Sequence, residues 1–323
     1  MARPLLSVVA PAFNEGDVLD EFHERLTGVL DDVPLDAEVV YVNDGSTDET
    51  AAILERLAAS DPRVAVLELS RQFGKERALT AGIDYARGDA VVVLDADLQD
   101  PPELIPELVA PWREEGFEIV YAVRVRRAGE SLLRRVTAAL FYRVIRRVSR
   151  VDIPRNTGDF RLLSRRAVDE LKRLRERHRF MKGLFAWVGF AQKPVPYHRE
   201  PRSAGHSKWN YWRLWNFALT GITSFTIAPL KIATYLGLLI ALLAFVYALV
   251  IVYKTLVWGN PVAGYPSLMT VILFLGGVQL MTMGVMGEYL GRMFEEVKQR
   301  PLYVVKSYRP AREKMPDRAA DQE

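Results

Sequence analysis

Two carboxylates, Asp95 and Asp97, stand one residue apart directly after the apolar run Val91-Val92-Val93-Leu94. A hard divalent cation such as Mg2+ takes oxygen ligands, keeps few protein carboxylates and fills its remaining positions from phosphate and water. An Asp-x-Asp pair at a strand end therefore suits a metal bound jointly with a nucleotide diphosphate. The competing reading is a solvated turn, because Asp100, Pro101 and Pro102 follow and such residues are common turn formers. Three further polar clusters weigh against it: Phe13-Asn14-Glu15, Asn43-Asp44-Gly45-Ser46 and the stretch from Arg71 to Lys75.

The residues around these clusters alternate between two periodicities. Apolar, β-branched runs predict strands over residues 6–10, 38–42, 64–69, 90–94 and 119–123, and helical patterning predicts helices over 15–30, 48–59 and 76–86. Asp48 or Thr47 is positioned to cap the second helix. Such alternation builds a mostly parallel α/β sheet, and sheets of that kind gather ligands outside the carboxyl ends of their strands. Each polar cluster sits at one of those ends. One polar strand end is turn chemistry; four in succession predict a site.

The 323 residues leave room for a second unit. Residues 232–252 carry no charge over about 21 positions, the length that crosses a bilayer core as a helix, and a second apolar run covers 268–286. The link between them contains Gly259, Asn260, Pro261, Gly264 and Pro266, so the two runs predict a helical hairpin through a membrane. Lys254 is the only cation in that link, whereas Arg292, Lys298, Arg300, Lys306, Arg309, Arg312, Lys314 and Arg318 follow the hairpin. The positive-inside rule then puts both termini in the cytoplasm. The apolar stretch in the first ten residues is too short for a signal peptide and reads as a strand. The absence of cysteine excludes disulfides and thiolate metal sites. A net charge of +3 and a pI near 9.0 favour an anionic membrane surface as partner. Nucleic acid is not expected, because no basic stripe is joined to a nucleic-acid motif.

From Arg124 to Arg150 there are nine arginines and one acidic residue, Glu130, while Leu132, Leu133, Val136, Leu140, Val144 and Val148 recur at helical spacing. This predicts an interfacial amphipathic helix, apolar toward the acyl boundary and basic toward head groups. A helix packed on the soluble core with a solvated basic face is the plainer alternative. Trp209, Tyr211, Trp212, Trp215 and Phe217 predict a second interfacial segment at the aromatic belt, with Arg202, Ser207 and Lys208 just before it. The expected organisation is a ligand-binding α/β core over 1–130, a region of interfacial amphipathic helices over 131–226, a transmembrane hairpin over 227–291 and a cytoplasmic tail over 292–323.

Pro11-Ala12-Phe13-Asn14-Glu15, Val42-Asn43-Asp44-Gly45-Ser46-Thr47-Asp48 and Leu94-Asp95-Ala96-Asp97-Leu98-Gln99-Asp100-Pro101-Pro102-Glu103 resemble the signatures of family 2 glycosyltransferases of the GT-A fold. Asn156-Thr157-Gly158-Asp159-Phe160-Arg161-Leu162, Gly205-His206-Ser207-Lys208-Trp209 and the terminal hairpin narrow the resemblance to polyprenyl-phosphate glycosyltransferases. That group includes dolichyl-phosphate mannose synthases and bactoprenol glucosyltransferases. The resemblance runs to about Pro310 and implies a GT-A type, mostly parallel α/β sheet domain, then interfacial amphipathic helices and a two-helix transmembrane hairpin.

Residue by residue, the resemblance implies that Asp44 recognises the nucleobase while Pro11 and Glu15 shape the nucleotide pocket. It implies that Asp95, Asp97 and Gln99 surround a Mg2+ or Mn2+ bridging the donor diphosphate. Arg71 and Lys75 add positive charge near the donor on this reading; as plain residues they are also ordinary surface cations. Lys208 is the implied acceptor-phosphate contact, with Arg124, Arg134, Arg202 and Ser207 as companions. Asn43 departs from the pattern, since many relatives have an aspartate there.

Asp159 is the implied catalytic base. A phosphate monoester has a second pKa near 6, so a lipid phosphate is already largely ionised at neutral pH and needs little general-base help. Asp159 can instead orient the phosphate or support the donor, and a helix cap before Phe160 is the plain alternative. The expectation is an inverting hexosyltransferase, multi-pass in the cell membrane with its catalytic domain in the cytoplasm. It moves a sugar, glucose by preference, from a UDP-sugar to undecaprenyl or another polyprenyl phosphate. GDP-mannose or UDP-GlcNAc as donor, or a catalytically silent membrane scaffold or sugar-nucleotide sensor, are the alternatives. A processive polysaccharide synthase fits less well: no Gln-x-x-Arg-Trp segment is present and two spans are too few for a channel. A homo-oligomer is left open.

Overall fold

The computed structural model describes residues 3–125, 157–197, 228–258 and 264–312. Most of the expected basic helix, the aromatic segment after Lys208, and Arg134, Arg202, Ser207 and Lys208 lie outside the described residues. The first 125 residues alternate as β1 (Leu5–Ala12), α1 (Leu19–Asp32), β2 (Asp36–Asn43), α2 (Thr50–Ser60), β3 (Val64–Leu69), α3 (Lys75–Tyr85), β4 (Ala90–Val93), α4 (Ile105–Glu115) and β5 (Ile119–Arg124). The first helix begins at Leu19, not at 15. Asn14 takes a left-handed backbone with φ 55°, and the peptide N–H groups of Asn14, Glu15 and Gly16 bond to Ser46, Thr50 and Asp48. Asp48 also serves the start of α2, its Oδ1 accepting the Thr50 N–H at 3.1 Å.

Residues 157–197 add β6 (Thr157–Ser164), α5 (Arg165–Arg173), α6 (Met181–Trp187) and β7 (Gln192–Tyr197). β1 pairs in parallel with β2 and β4, and β2 with β3. β6 lies antiparallel between β4 and β5, while β7 runs parallel to β5. The strand β8 (Val305–Arg309) closes the far edge antiparallel to β3. The order is β7-β5-β6-β4-β1-β2-β3-β8, and only β6 and β8 oppose the other strands. The mostly parallel α/β sheet expected from the sequence is present, extended by three strands from later in the chain.

Both faces of this sheet are covered, so its strands read as continuous apolar runs rather than alternating ones. Leu6, Val8, Tyr41, Val92 and Leu162 pack on one face with Phe22, Leu26, Leu54, Ile105 and Leu108. Val9, Val40, Leu67, Val93 and Leu163 pack on the other with Leu79, Ile83, Leu171 and Phe185. Gly82 lets α3 settle directly on the sheet: a Cβ there would lie 2.3 Å from Val9 Cγ1. That close seat fixes the height at which α3 presents its first residue, Lys75.

Two long helices follow, α7 (Ala228–Trp258, 31 residues) and α8 (Tyr265–Val297, 33 residues), packed on each other as a hairpin. At 1.5 Å per residue α7 is roughly 46 Å long. Leu238, Leu242, Leu243, Phe245 and Leu249 are exposed along it. Several side chains of the pair, including those of Ala248, Ile251, Val252 and Thr255, lie outside the described set, and among the described residues no helix is long and apolar enough to cross a membrane. The end of α8 is joined to the sheet domain, where Glu296 Oε1 accepts the Arg177 N–H at 2.7 Å and Glu295 pairs with His178 at 2.9 Å.

Candidate active site

The loops at the carboxyl ends of β1, β2 and β3 are stitched together by their own polar residues. Asn14 Oδ1 accepts the Thr47 N–H at 2.9 Å, Asn43 Oδ1 accepts the Ser46 N–H at 3.0 Å, and the Asp44 N–H bonds to the Ala12 carbonyl. Pro11 lies in β1 opposite Val42, which puts Pro11, Glu15 and Asp44 along one rim. Asp44 is buried, and its two oxygens accept the N–H groups of Phe73 at 2.7 Å and Gly74 at 2.8 Å. Burial pushes this carboxyl up, against those two hydrogen bonds, which favour its charged form. Gly74 precedes α3 with φ 97°, a conformation that favours glycine. Asp44 thereby holds the start of α3, and with it Lys75.

Lys75 reaches across the next loop. Its Nζ lies 2.6 Å from Asp95 Oδ2 and 2.6 Å from Asp159 Oδ2. Strand topology explains the meeting: Val93 pairs with Arg161 in the antiparallel β4–β6 register, and continuing that register by two residues sets Asp95 opposite Asp159. Asp159 lies inside a strand, so the helix-cap alternative does not apply. Burial would raise the Asp159 carboxyl, but Lys75 and then Lys182 outweigh it and hold the group below the ordinary carboxylate range. Asp95 is raised, by burial first and by the neighbouring Asp159 and Asp97 charges, with Lys75 opposing. Asp159 Oδ1 is buried with no hydrogen-bond partner among the described residues.

The turn after β4 carries the remaining acidic residues. Asp97 Oδ1 accepts the Gln99 N–H at 3.1 Å, and Leu98 between them takes a left-handed backbone with φ 57° while its side chain is fully buried. A non-glycine residue held there stores strain on the order of 1–3 kcal/mol, and such strain persists only where packing enforces it. Arg124, at the end of β5, donates to Tyr197 Oη at 2.9 Å and stands 3.5 Å from Asp100, whose carboxylate also accepts a hydrogen bond from the Tyr197 hydroxyl. Arg71 remains exposed, its guanidinium over the Phe73 ring at 4.4 Å.

Asp95, Asp97 and Gln99 carry oxygen donors of the kind a hard divalent cation takes, and Asp159 Oδ1 has no partner among the described residues. Among the described residues no group of three or more His, Cys, Asp or Glu side chains is arranged to hold a metal by itself. A cation bound here would take its other ligands from a diphosphate and water. A cavity of about 220 Å3, lined by Phe73, Gly74, Lys75, Glu76 and His178 among others, adjoins this centre. A larger cavity, about 670 Å3, lies at the foot of α8 among Asp84, Arg175, Glu296, Arg300 and Tyr303, none of them a residue the sequence assigned to the site.

Four residues absent from the sequence expectation belong to this region. Glu76 follows Lys75, accepts the Met181 N–H at 3.1 Å, and is pushed up to about 7 by burial and by the Asp159 charge. Burial lowers Lys182, against the attraction of Asp159. Asp100 and Tyr197 brace Arg124. Glu76 directly after Lys75, and Asp100 directly after Gln99, were the only signals available, since Lys182 and Tyr197 join through tertiary packing.

The chain matches the Glycosyl transferase family 2 model over residues 7–172 and the GtrB C-terminal hairpin model over residues 228–293. It is 56% identical over 300 residues to an uncharacterized glycosyltransferase of Synechocystis sp., covering 93% of this chain and 94% of that one. It is 49% identical over 301 residues to the SfII prophage-derived bactoprenol glucosyl transferase of Shigella flexneri, covering 93% and 97%. It is 46% identical over 303 residues to the uncharacterized glycosyltransferase YkcC of Bacillus subtilis, covering 94% of each chain. With its parallel sheet, its acidic strand ends and its terminal hairpin, the chain belongs to glycosyl transferase family 2, in the branch that carries the GtrB C-terminal hairpin, and is a hexosyltransferase.

Proposed function

We propose that this enzyme transfers glucose from UDP-glucose to a polyprenyl phosphate, with inversion at the anomeric carbon. The convergence of Asp95, Lys75 and Asp159 from three separate elements carries the reading, because it assembles anionic and cationic groups where a diphosphate and a reacting phosphate would meet. The bactoprenol glucosyl transferase name of the Shigella flexneri relative supports both the sugar and the lipid class. Asp44, Pro11 and Glu15 form the base-binding rim, where a carboxylate can accept the uracil imide N–H. Arg71 and Lys75 attend the donor phosphates. Asp95, Asp97 and Gln99 would hold Mg2+ or Mn2+, which neutralises the charge that develops on the leaving diphosphate. Asp159, already ionised, orients the acceptor or supports the donor sugar.

The acceptor carries its own phosphate at the head-group plane, so the site must stand at a membrane. Residues 232–252, charge-free in the sequence, and the family hairpin over 228–293 support α7 and α8 as a two-helix anchor that crosses the bilayer with both termini in the cytoplasm. Arg124, Arg134, Arg202, Ser207 and Lys208, within or bordering the acceptor region over 131–226, are the proposed lipid-phosphate contacts. The test is a donor panel: purified protein in liposomes with undecaprenyl phosphate and UDP-glucose, UDP-GlcNAc or GDP-mannose. A lipid-soluble product from UDP-glucose is expected. A product from a different donor alone reassigns the sugar, and no product from any donor overturns the reading.

A further inference from the structure

Lys75 Nζ sits between Asp95 and Asp159 at 2.6 Å from each, a position that a cation of higher charge would compete for. Lys75 is the first residue of α3, where the helix dipole disfavours a cation, so the two carboxylates hold it there against the local field. Its side chain is 46% exposed, whereas those of Asp95 and Asp159 are 19% and 11% exposed. The lysine stem therefore borders solvent, while the two carboxylates are largely covered. Carboxylates already neutralised by an ammonium are weaker ligands for a divalent cation, so the two cations compete for this charge. A diphosphate arriving in the site offers the ammonium new anionic oxygens within reach of a flexible four-carbon stem.

We propose that Lys75 is an exchangeable counter-ion. In the free enzyme it neutralises Asp95 and Asp159 and opposes divalent-cation binding, and it passes to a phosphate oxygen when a nucleoside diphosphate enters with the metal. The proposal rests on the metal-dependent donor reading above. Its consequence is positive coupling between nucleotide and metal, because each relieves what opposes the other, and such coupling is reciprocal. The lysine thereby keeps the acidic pair from being filled by metal alone.

The test is Mn2+ binding to the full-length protein, read from the EPR signal of free Mn2+, with and without UDP. Wild type is expected to bind Mn2+ weakly alone and more tightly with UDP. Lys75→Met is expected to bind Mn2+ alone at least tenfold more tightly than wild type, with the UDP effect reduced to match, and Lys75→Arg to restore coupling. Lys75→Gln, which keeps hydrogen-bonding capacity, serves as the second neutral variant. Thermal unfolding gives an independent readout: Mn2+ alone should raise the Tm of the neutral variants more than that of wild type. If wild type binds Mn2+ with UDP but neither neutral variant gains affinity for Mn2+ alone, the counter-ion proposal is overturned while the donor reading stands. Wild type that binds no Mn2+ even with UDP overturns the metal reading and the proposal with it.

Discussion

Asp159 receives the Lys75 ammonium on Oδ2 at 2.6 Å, while its other oxygen is buried with no partner among the described residues. One oxygen is neutralised and the other is available, so the group can take a hydrogen bond from a substrate without first losing a proton. A carboxylate held this strongly in its charged form is a poor proton acceptor. The lipid phosphate scarcely needs one, being mostly ionised at neutral pH.

This sets the pH behaviour of Asp159→Asn. A carboxylate whose folded pKa is depressed contributes stability that is present above its unfolded pKa and lost only as pH falls through the folded value. Between pH 6 and 9 the Asp159 carboxyl itself stays ionised. Transfer by Asp159→Asn should fall roughly 10²–10³-fold, the scale of one lost electrostatic contact, and by the same factor across that range. Steady-state rates at several pH values check it; a loss that concentrates at low pH and recovers above the phosphate pKa would make Asp159 a base.

Asp97→Ala should abolish transfer and leave the fold intact. The residue stands in the turn after a strand, half-buried, where its carboxylate accepts the Gln99 N–H, so its removal opens no core cavity. A Tm within a few degrees of wild type, roughly 2–4 °C for 1 kcal/mol in a domain of this size, is expected by calorimetry. Unchanged transfer by this variant, or full transfer in excess chelator, would remove the metal from the account.

Glu76 behaves oppositely to Asp159. Its folded pKa is raised to about 7, so the native state holds the proton more tightly than the unfolded chain does. Its favourable contribution is complete below the unfolded carboxylate value and is lost as pH rises through about 7. Glu76→Gln, which cannot ionise, should therefore gain stability relative to wild type between pH 5 and pH 8, by roughly 2–3 kcal/mol, read as a rise in its relative Tm. A difference that stays flat across that interval contradicts the raised pKa.

Gly82→Ala should destabilise the sheet domain by about 1–3 kcal/mol, the usual cost of overpacking. The new methyl would meet a buried, β-branched side chain, Val9, that cannot swing aside. The shift of α3 needed to relieve it displaces Lys75, so donor binding should weaken too. Urea unfolding midpoints and UDP titration measure the two effects; an unchanged midpoint would show that α3 is not seated as described.

The alternating core and the strand-end clusters were legible because apolar runs of four to six residues end in polar loops throughout the first 125 positions. β8 was not, since Val305–Arg309 is short, mixes charged residues with apolar ones and forms a strand only against the edge of β3. The reversed direction of β6 was also hidden, although it is what brings Asp159 to Asp95. Asp44 illustrates a finer limit. Its identity as a site residue could be read from the motif, but its two bonds to the Phe73 and Gly74 peptides depend on a loop from the next βα unit. Lys182 and Tyr197 lie far along the chain from any cluster and join the site only through folding.

The central claim is that this enzyme couples a UDP-sugar to a polyprenyl phosphate by direct displacement. The measurement that tests it most directly is NMR of the lipid product formed from UDP-glucose and undecaprenyl phosphate by wild type and by Asp97→Ala. The account predicts a β-linked glucosyl phosphate on the lipid with wild type and no lipid product with the variant. An α-linked product would contradict inversion, and release of free glucose with no glycosylated lipid would contradict the lipid acceptor itself.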